Sequence, residues 1–203
     1  MQKKFYKNSK LKMPKRKTED QNIEETKIRL PPKEEITKIN VEQEKKEEGG
    51  KEQLVAFKLA GEEYAININE VREIIKIVPV TRIPGTSDFI NGVINLRGQI
   101  ISVIDLEKRL NLQVKEPDKD SRIVIVEIGD QLVGMIVDFV SEVMWLQVKD
   151  IKPAPPALAK KIKLSYLRGV GIISNRLLIL LDLGKLLSEK EIDTIASIHK
   201  SYK

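Results

Sequence analysis

Apolar side chains in the first 50 residues are sparse, 11 in all, and follow no sustained period beyond a weak pattern around Ile36 and Val41. After Gly49-Gly50 the pattern changes. Leu54, Ala56 and Lys58 alternate with Val55, Phe57 and Leu59, the two-residue period of a strand. Gly61-Glu62-Glu63 supplies a turn, and Tyr64, Ile66 and Ile68 then alternate with Ala65 and Asn67. These runs predict a hairpin that opens a folded domain near residue 52. Further strand-like runs lie at 74–80, 99–104, 122–128, 132–137, 143–146, 169–173 and 177–181, a spacing that predicts barrels or a sandwich.

Helical signals are few. Asn69 is placed to cap one turn through Val71 and Arg72, and Asp105 to cap another through Leu106 and Leu110. Near the end, Ser188 and Glu191 form a capping-box pattern, and Ile192, Ile195, Ala196 and His199 share one helical face. An amphipathic terminal helix is expected there, with His199 a packing residue at the edge of its stripe.

The chain also repeats itself. A shift of 77 residues lays Gly92-Val93 on Gly169-Val170, the apolar run 100–104 on 177–181 and Asp105-Leu106 on Asp182-Leu183. A shift of 69 lays Phe57 on Val126, Ile66 on Met135, Val71 on Val140 and Glu73 on Glu142. The difference between the shifts falls in a loop containing Pro153-Ala154-Pro155-Pro156 and the basic run 160–163. Halves of about 70 residues are marginal for isolated barrels, so they should pack together. The pattern predicts an all-β domain over 51–190 made of two pseudo-repeated barrels, about 52–115 and 121–187, whose termini are free to cross over. Residues 188–203 form a helix and tail, and 1–50 a charged, disordered extension. Asp105 and Asp182, at matching positions after strands, read as caps.

Composition narrows the chemistry. Of 203 residues none is Cys and one is His, which argues against disulfides, thiolate metal sites, a zinc cluster or a histidine-based triad. Neither GxxxxGK[ST] nor a helix-opening GxGxxG occurs, which removes the usual phosphate cradles. No catalytic, cofactor or metal residues are therefore expected, and no small-molecule substrate. The longest apolar run, from Leu177 to Leu181, is far below the roughly 20 residues a spanning helix needs, so a cytosolic protein is expected. Net charge is +6, but 14 Lys/Arg and 10 Asp/Glu lie in the first 50 residues, leaving the rest at +2. The arm reads as a solvated tail that makes at most weak contact with anionic membrane. A nucleic-acid module with a basic arm is the alternative, opposed by 4% aromatic content with no stacking cluster.

One polar group interrupts the apolar stretch from Phe89 to Ile104: Asn95, Arg97 and Gly98 around Leu96. Arg97 aligns with Ser174 in the repeat, so it is a cation the shared plan does not require. It reads either as a partner contact or as a turn residue paired with Glu73 or Asp105.

Several runs resemble the CheW family: Tyr64-Ala65-Ile66, Val71-Arg72-Glu73-Ile74, Gly92-Val93-Ile94-Asn95-Leu96-Arg97-Gly98 and Val103-Ile104-Asp105-Leu106. The resemblance continues through Val133-Gly134-Met135-Ile136-Val137-Asp138, Val140-Ser141-Glu142-Val143, Ile151-Lys152-Pro153 and Arg176 to Asp182, covering about 52–190. It implies two SH3-like five-stranded β-barrels in a non-catalytic adaptor. That adaptor couples the cytoplasmic tips of methyl-accepting chemoreceptors to the regulatory domain of the histidine kinase CheA, within membrane-bound arrays. It also implies a receptor contact in a groove between barrels, built from Val71, Glu73, Ile74, Gly92, Asn95, Leu96 and Arg97. The kinase contact would lie on the second barrel, with Ile151, Lys152 and Pro153. The long N-terminal extension departs from the family and leaves two readings open, a later start at Met13 or a tether that samples membrane. Ser102, where Pro is common, and Asn175 are smaller departures.

Overall fold

Strand β1 (Lys51–Leu59) has apolar side chains on both faces, and the fold buries both. Leu54 and Ala56 enter the interior of one barrel with Ala65, Leu146, Leu178 and Leu180. Val55, Phe57 and Leu59 enter a larger core shared with the other barrel. In the computed structural model, which describes residues 50–173 and 175–201, the remaining strands are β2 (Glu62–Asn67), β3 (Val71–Lys76), β4 (Ile90–Leu96), β5 (Gln99–Asp105), β6 (Arg122–Ile128), β7 (Gln131–Val137), β8 (Phe139–Gln147), β9 (Leu167–Ile173) and β10 (Arg176–Leu181). The expectations made for the arm before Gly50 lie outside the described residues.

Two five-stranded sheets result, in the orders β8-β1-β2-β10-β9 and β3-β6-β7-β5-β4. Advancing every strand by five places, cyclically, converts either order into the other, so the duplication is visible in the topology. Each sheet contains one parallel pair, β2 with β10 and β5 with β7. The halves of the sequence are nevertheless not the barrels. One sheet takes β1 and β2 from the first repeat and β8, β9 and β10 from the second, and the other sheet takes the complement. The division at about 52–115 and 121–187 is corrected accordingly: residues 71–137 make one barrel, and 51–67 with 139–181 make the other around it. The reason lies in the links. Only Asp138 separates β7 from β8, and one residue cannot close an antiparallel hairpin, so the chain must pass into the other sheet.

Local boundaries follow ordinary chemistry. Asn67, rather than Asn69, caps the 3-10 turn Ile68–Glu70, accepting from the Asn69 N–H at 2.9 Å, while Glu70 reaches back to the Asn67 N–H at 3.2 Å. Strand β3 therefore starts at Val71 and stops at Lys76, ahead of Pro79, which has no N–H to give a ladder. Strand β4 is marked in sequence by its Gly92-Val93 pair, the repeat counterpart of Gly169-Val170, rather than by alternation, which Asn91, Gly92 and Asn95 break. Asp105 does cap α1 (Leu106–Leu110), its Oδ1 accepting from the Lys108 N–H at 3.0 Å. Asp182 does not cap α2 (Leu183–Leu186) with its side chain and instead pairs with Lys185 at 2.7 Å.

The shared core contains Phe57 and Tyr64, whose rings lie 6.2 Å apart, with Ile104, Val126 and Met135 from the other sheet. Burial pushes the Tyr64 phenol up to about 12. Helix α3 (Glu189–Ser201) seals this core with Ile195. Its start is fixed by Glu191, which accepts from the Ser188 N–H at 2.7 Å and from the Ser188 hydroxyl at 2.8 Å. Arg109 on α1 meets both Glu191 oxygens at 3.0 Å, donates to the Leu186 carbonyl at 2.6 Å, and lies 4.5 Å over the Phe89 ring and 5.1 Å over that of Tyr166. Burial raises the Glu191 carboxyl, but Ser188 and Arg109 together outweigh it and leave the group below its ordinary value.

Two outcomes are expected. Residues 52–115 expressed alone should give the narrow amide dispersion of an unfolded chain by NMR, because they hold two strands of one sheet and three of the other. In the full chain, Phe57→Ala should cost about 3–5 kcal/mol in urea denaturation.

Candidate functional site: the open ends of two barrels

Strands β3 and β4 are the outermost strands of their sheet, and the barrel closes between them. Beyond β3, Thr81 and Val93 exchange two backbone hydrogen bonds, at 2.9 and 2.8 Å. Gly92 sits at this closure with φ +140°, and a β-carbon there would lie 2.0 Å from the Thr81 carbonyl oxygen. Only glycine permits that approach.

All seven residues named for the receptor contact lie on this part of the barrel: Val71, Glu73 and Ile74 on β3, Gly92, Asn95 and Leu96 on β4, and Arg97 in the following turn. Arg97 and Gly98 occupy the left-handed region, φ +52° and +87°, as a two-residue hairpin turn requires. The Gly98 N–H donates to Asn95 Oδ1 at 2.8 Å and fixes the turn. Arg97 Nη2 lies 2.8 Å from Glu73 Oε1, so the pair spans the opening from the turn to β3. The Arg97 side chain remains 78% exposed. An ion pair so wet contributes at most about 1 kcal/mol to stability, and its clearer effect is to orient the guanidinium.

An apolar groove of about 420 Å³ lies alongside, lined by Ile75, Val78, Pro79, Leu96 and Ile100 among others. Leu96 and Asn95 line it, and Ile74 faces outward on the other side of β3. Val71 packs against the shared core. The seven residues thus sit at the end of the contiguous barrel, and the interior between the barrels is filled by the shared core.

The other barrel closes by the same device. Lys152 and Val170 exchange two hydrogen bonds at 2.8 Å, and a β-carbon on Gly169 would lie 2.6 Å from the Lys152 carbonyl oxygen. Ile151, Lys152 and Pro153 stand at that closure. Ile151 packs partly on the barrel interior, Lys152 Nζ donates to the Lys149 carbonyl at 2.9 Å, and Pro153 is exposed. The ion pair recurs too. Arg176 bridges Glu142 and Glu63, at 2.9 Å each, and Glu142 is the repeat counterpart of Glu73. Arg97 is therefore unmatched in the linear alignment but matched in space, by an arginine two positions beyond Ser174.

Sequence reasoning missed the apolar surface of this second barrel end. Trp145 is 63% exposed and Ile172 70%, with Val143 and Leu177 exposed beside them on the same strands or paired positions. The signal was present: the repeat shifts lay Ile74 on Val143, Asn95 on Ile172 and Ile100 on Leu177. Among the described residues no group of three or more His, Asp or Glu is placed to hold a metal ion.

Comparison with known proteins gives one answer. The CheW-like domain profile matches residues 53–191. The chain is 41% identical over 151 residues to the chemotaxis protein CheW of Klebsiella aerogenes, covering 74% of this chain and 90% of that protein. It is 38% identical over 139 residues to CheW of Bacillus subtilis, covering 68% and 88%. Among solved structures, the scaffolding protein TtCheW from Thermoanaerobacter tengcongensis superposes with a TM-score of 0.64 at 39% identity, covering 71% of this chain and 93% of that one.

Substituting Gly92→Ala should lower stability by about 2 kcal/mol or more in urea denaturation, since a positive φ and a backbone overlap are imposed together. A change within about 0.5 kcal/mol would mean that the closure is looser than described.

Proposed function

The chain belongs to the CheW family and is a chemotaxis adaptor, and on that premise we propose that it holds receptor tips with one barrel end and the kinase CheA with the other. The observation that carries this reading is the duplicated barrel end. Each end presents two outermost strands, a backbone closure over a glycine, and a carboxylate–arginine pair, Glu73 with Arg97 and Glu142 with Arg176.

The end bearing Val71, Glu73, Ile74, Gly92, Asn95, Leu96 and Arg97 suits a helical receptor tip. A helix laid on a shallow apolar groove needs aliphatic anchors and one charge to set its register. Ile75, Leu96 and Ile100 supply the first, and Arg97 the second. The end near Ile151, Lys152 and Pro153, with Trp145 and Ile172, suits the kinase's regulatory domain. A large exposed aromatic beside aliphatic residues is the kind of anchor a barrel-to-barrel contact buries.

The adaptor performs no covalent step in this reading and acts through contacts that differ between the partners' signalling states. It works at membrane-bound arrays, held there by its partners. Among the described residues no helix is long and apolar enough to cross a membrane.

The nucleic-acid alternative is disfavoured by charge placement as well as by kinship. Arg72, Arg97, Arg168 and Arg176 are paired with Glu127, Glu73, Glu52 and Glu142, which leaves them poor counterions for phosphates.

Co-sedimentation with receptor fragments and CheA tests the proposal. The wild-type chain should raise kinase recovery with receptor. Arg97→Glu, which sets two carboxylates together beside β3, should weaken receptor recovery about tenfold or more while kinase binding is largely kept. Trp145→Ala should do the opposite. If both variants bind both partners normally, the assignment of ends is wrong.

A further inference from the structure

Strands β5 and β7 begin their parallel pairing at Ser102 opposite Val133, and the residues before that point, 99–101 and 131–132, are not paired with each other. The imidazole of His199, near the end of α3, bridges this divergence. Its Nε2 accepts from the Ser102 backbone N–H at 3.0 Å, and its Nδ1 lies 3.0 Å from Gln131 Oε1. A ring nitrogen that accepts an amide N–H carries no proton. The ring is therefore the neutral tautomer, with Nδ1–H donating to Gln131.

We propose that His199 is a proton-operated latch: the neutral ring holds the end of α3 against β5 and β7, and protonation releases it. An imidazolium has two N–H donors and no acceptor, so the Ser102 N–H would lose its partner in a buried position.

The surroundings do nothing to stabilise the cation. Arg97 from the β4–β5 turn, paired with Glu73, and Lys200 from α3 line the same cavity of about 530 Å³. Among the described residues no carboxylate lines it. On β5 the sole ionisable residue is Asp105, occupied at the far end with the Lys108 N–H and ammonium, and β7 carries none. Asp130 precedes β7 outside the cavity lining, and the other charges of α3 lie at its start, with Glu191 held by Arg109.

Burial accordingly holds the ring below its ordinary value of 6.5. The sign follows. A depressed folded-state value means that the docking contribution is complete above about 6.5 and is lost as pH falls through the folded value. The Arg109–Glu191 clamp and Ile195 keep the start of α3 in place, so release is confined to its end. Opening there frees more of the half-buried Ile100, beside Arg97. The effect on partners rests on the adaptor reading, whereas the latch itself does not.

The test is an NMR titration of the full chain between about pH 8 and pH 5, following the His199 ring and Ser102 amide exchange. Corrected for intrinsic rates, Ser102 protection should fall about tenfold per pH unit below about 6.5, until the docked ring itself titrates. His199→Gln, with an amide that does not titrate, should flatten this dependence. His199→Lys should show low protection already at neutral pH. Wild-type protection that stays constant across the range, or an equal loss in His199→Gln, would overturn the latch. Should either variant misfold, the wild-type curve decides alone. No partner is present, so failure here leaves the adaptor reading untouched.

Discussion

The core shared by the two barrels, where Phe57, Leu59 and Tyr64 from one sheet meet Ile104, Val126 and Met135 from the other, is the constraint on which the remaining structure depends. Each barrel has a small interior of its own, around Leu54, Leu146 and Leu178 in one and Ile101, Val103 and Ile123 in the other. Those interiors are too small to stand alone, and the apolar faces turned outward from them would otherwise meet water. Exchanging strands between repeats makes the dependence topological as well as energetic. Arg109 adds a polar clamp across the same boundary, satisfied by a carboxylate, a carbonyl and two rings.

Much of this was legible in the sequence because it rests on short-range rules. The two-residue period, the Asp105 cap, the Ser188–Glu191 box and the duplicated plan all follow from residues within a turn or a strand of one another. The repeat shifts even paired the right positions, β1 and β2 with β6 and β7, and β4 and β5 with β9 and β10. What they did not carry was which strands pair across the boundary. That is decided by the single residue between β7 and β8, a geometric fact without a hydrophobic signature. Strand β4 was marked only by its Gly92-Val93 pair and the repeat, not by its own alternation. Asn91, Gly92 and Asn95 serve the closure and the turn, and they dilute the alternation that marks a strand.

The candidate surface was read unevenly. Glu73 and Arg97 stood out by charge, and the structure brings them together. The matching pair at the other end was invisible to a strict alignment, since Arg176 reaches Glu142 from a position displaced by two residues. The exposed Trp145 and Ile172 were passed over because a strand with both faces apolar looks like core. Exposure there is set by position at the sheet's edge, which is a property of the pairing order.

The nesting of one barrel inside the sequence of the other also dictates how the chain acquires structure as it leaves the ribosome. Strands β1 and β2 emerge first, yet Lys51 finds its neighbour only when Gln147 has been made, and Tyr64 its parallel partner only at Ile179. The contiguous barrel has all its strands by Val137, though not yet the whole of the shared core it packs on. The leading hairpin must therefore wait with apolar surface uncovered on both sides, which makes the nascent chain, rather than the finished adaptor, the form most dependent on chaperone shelter.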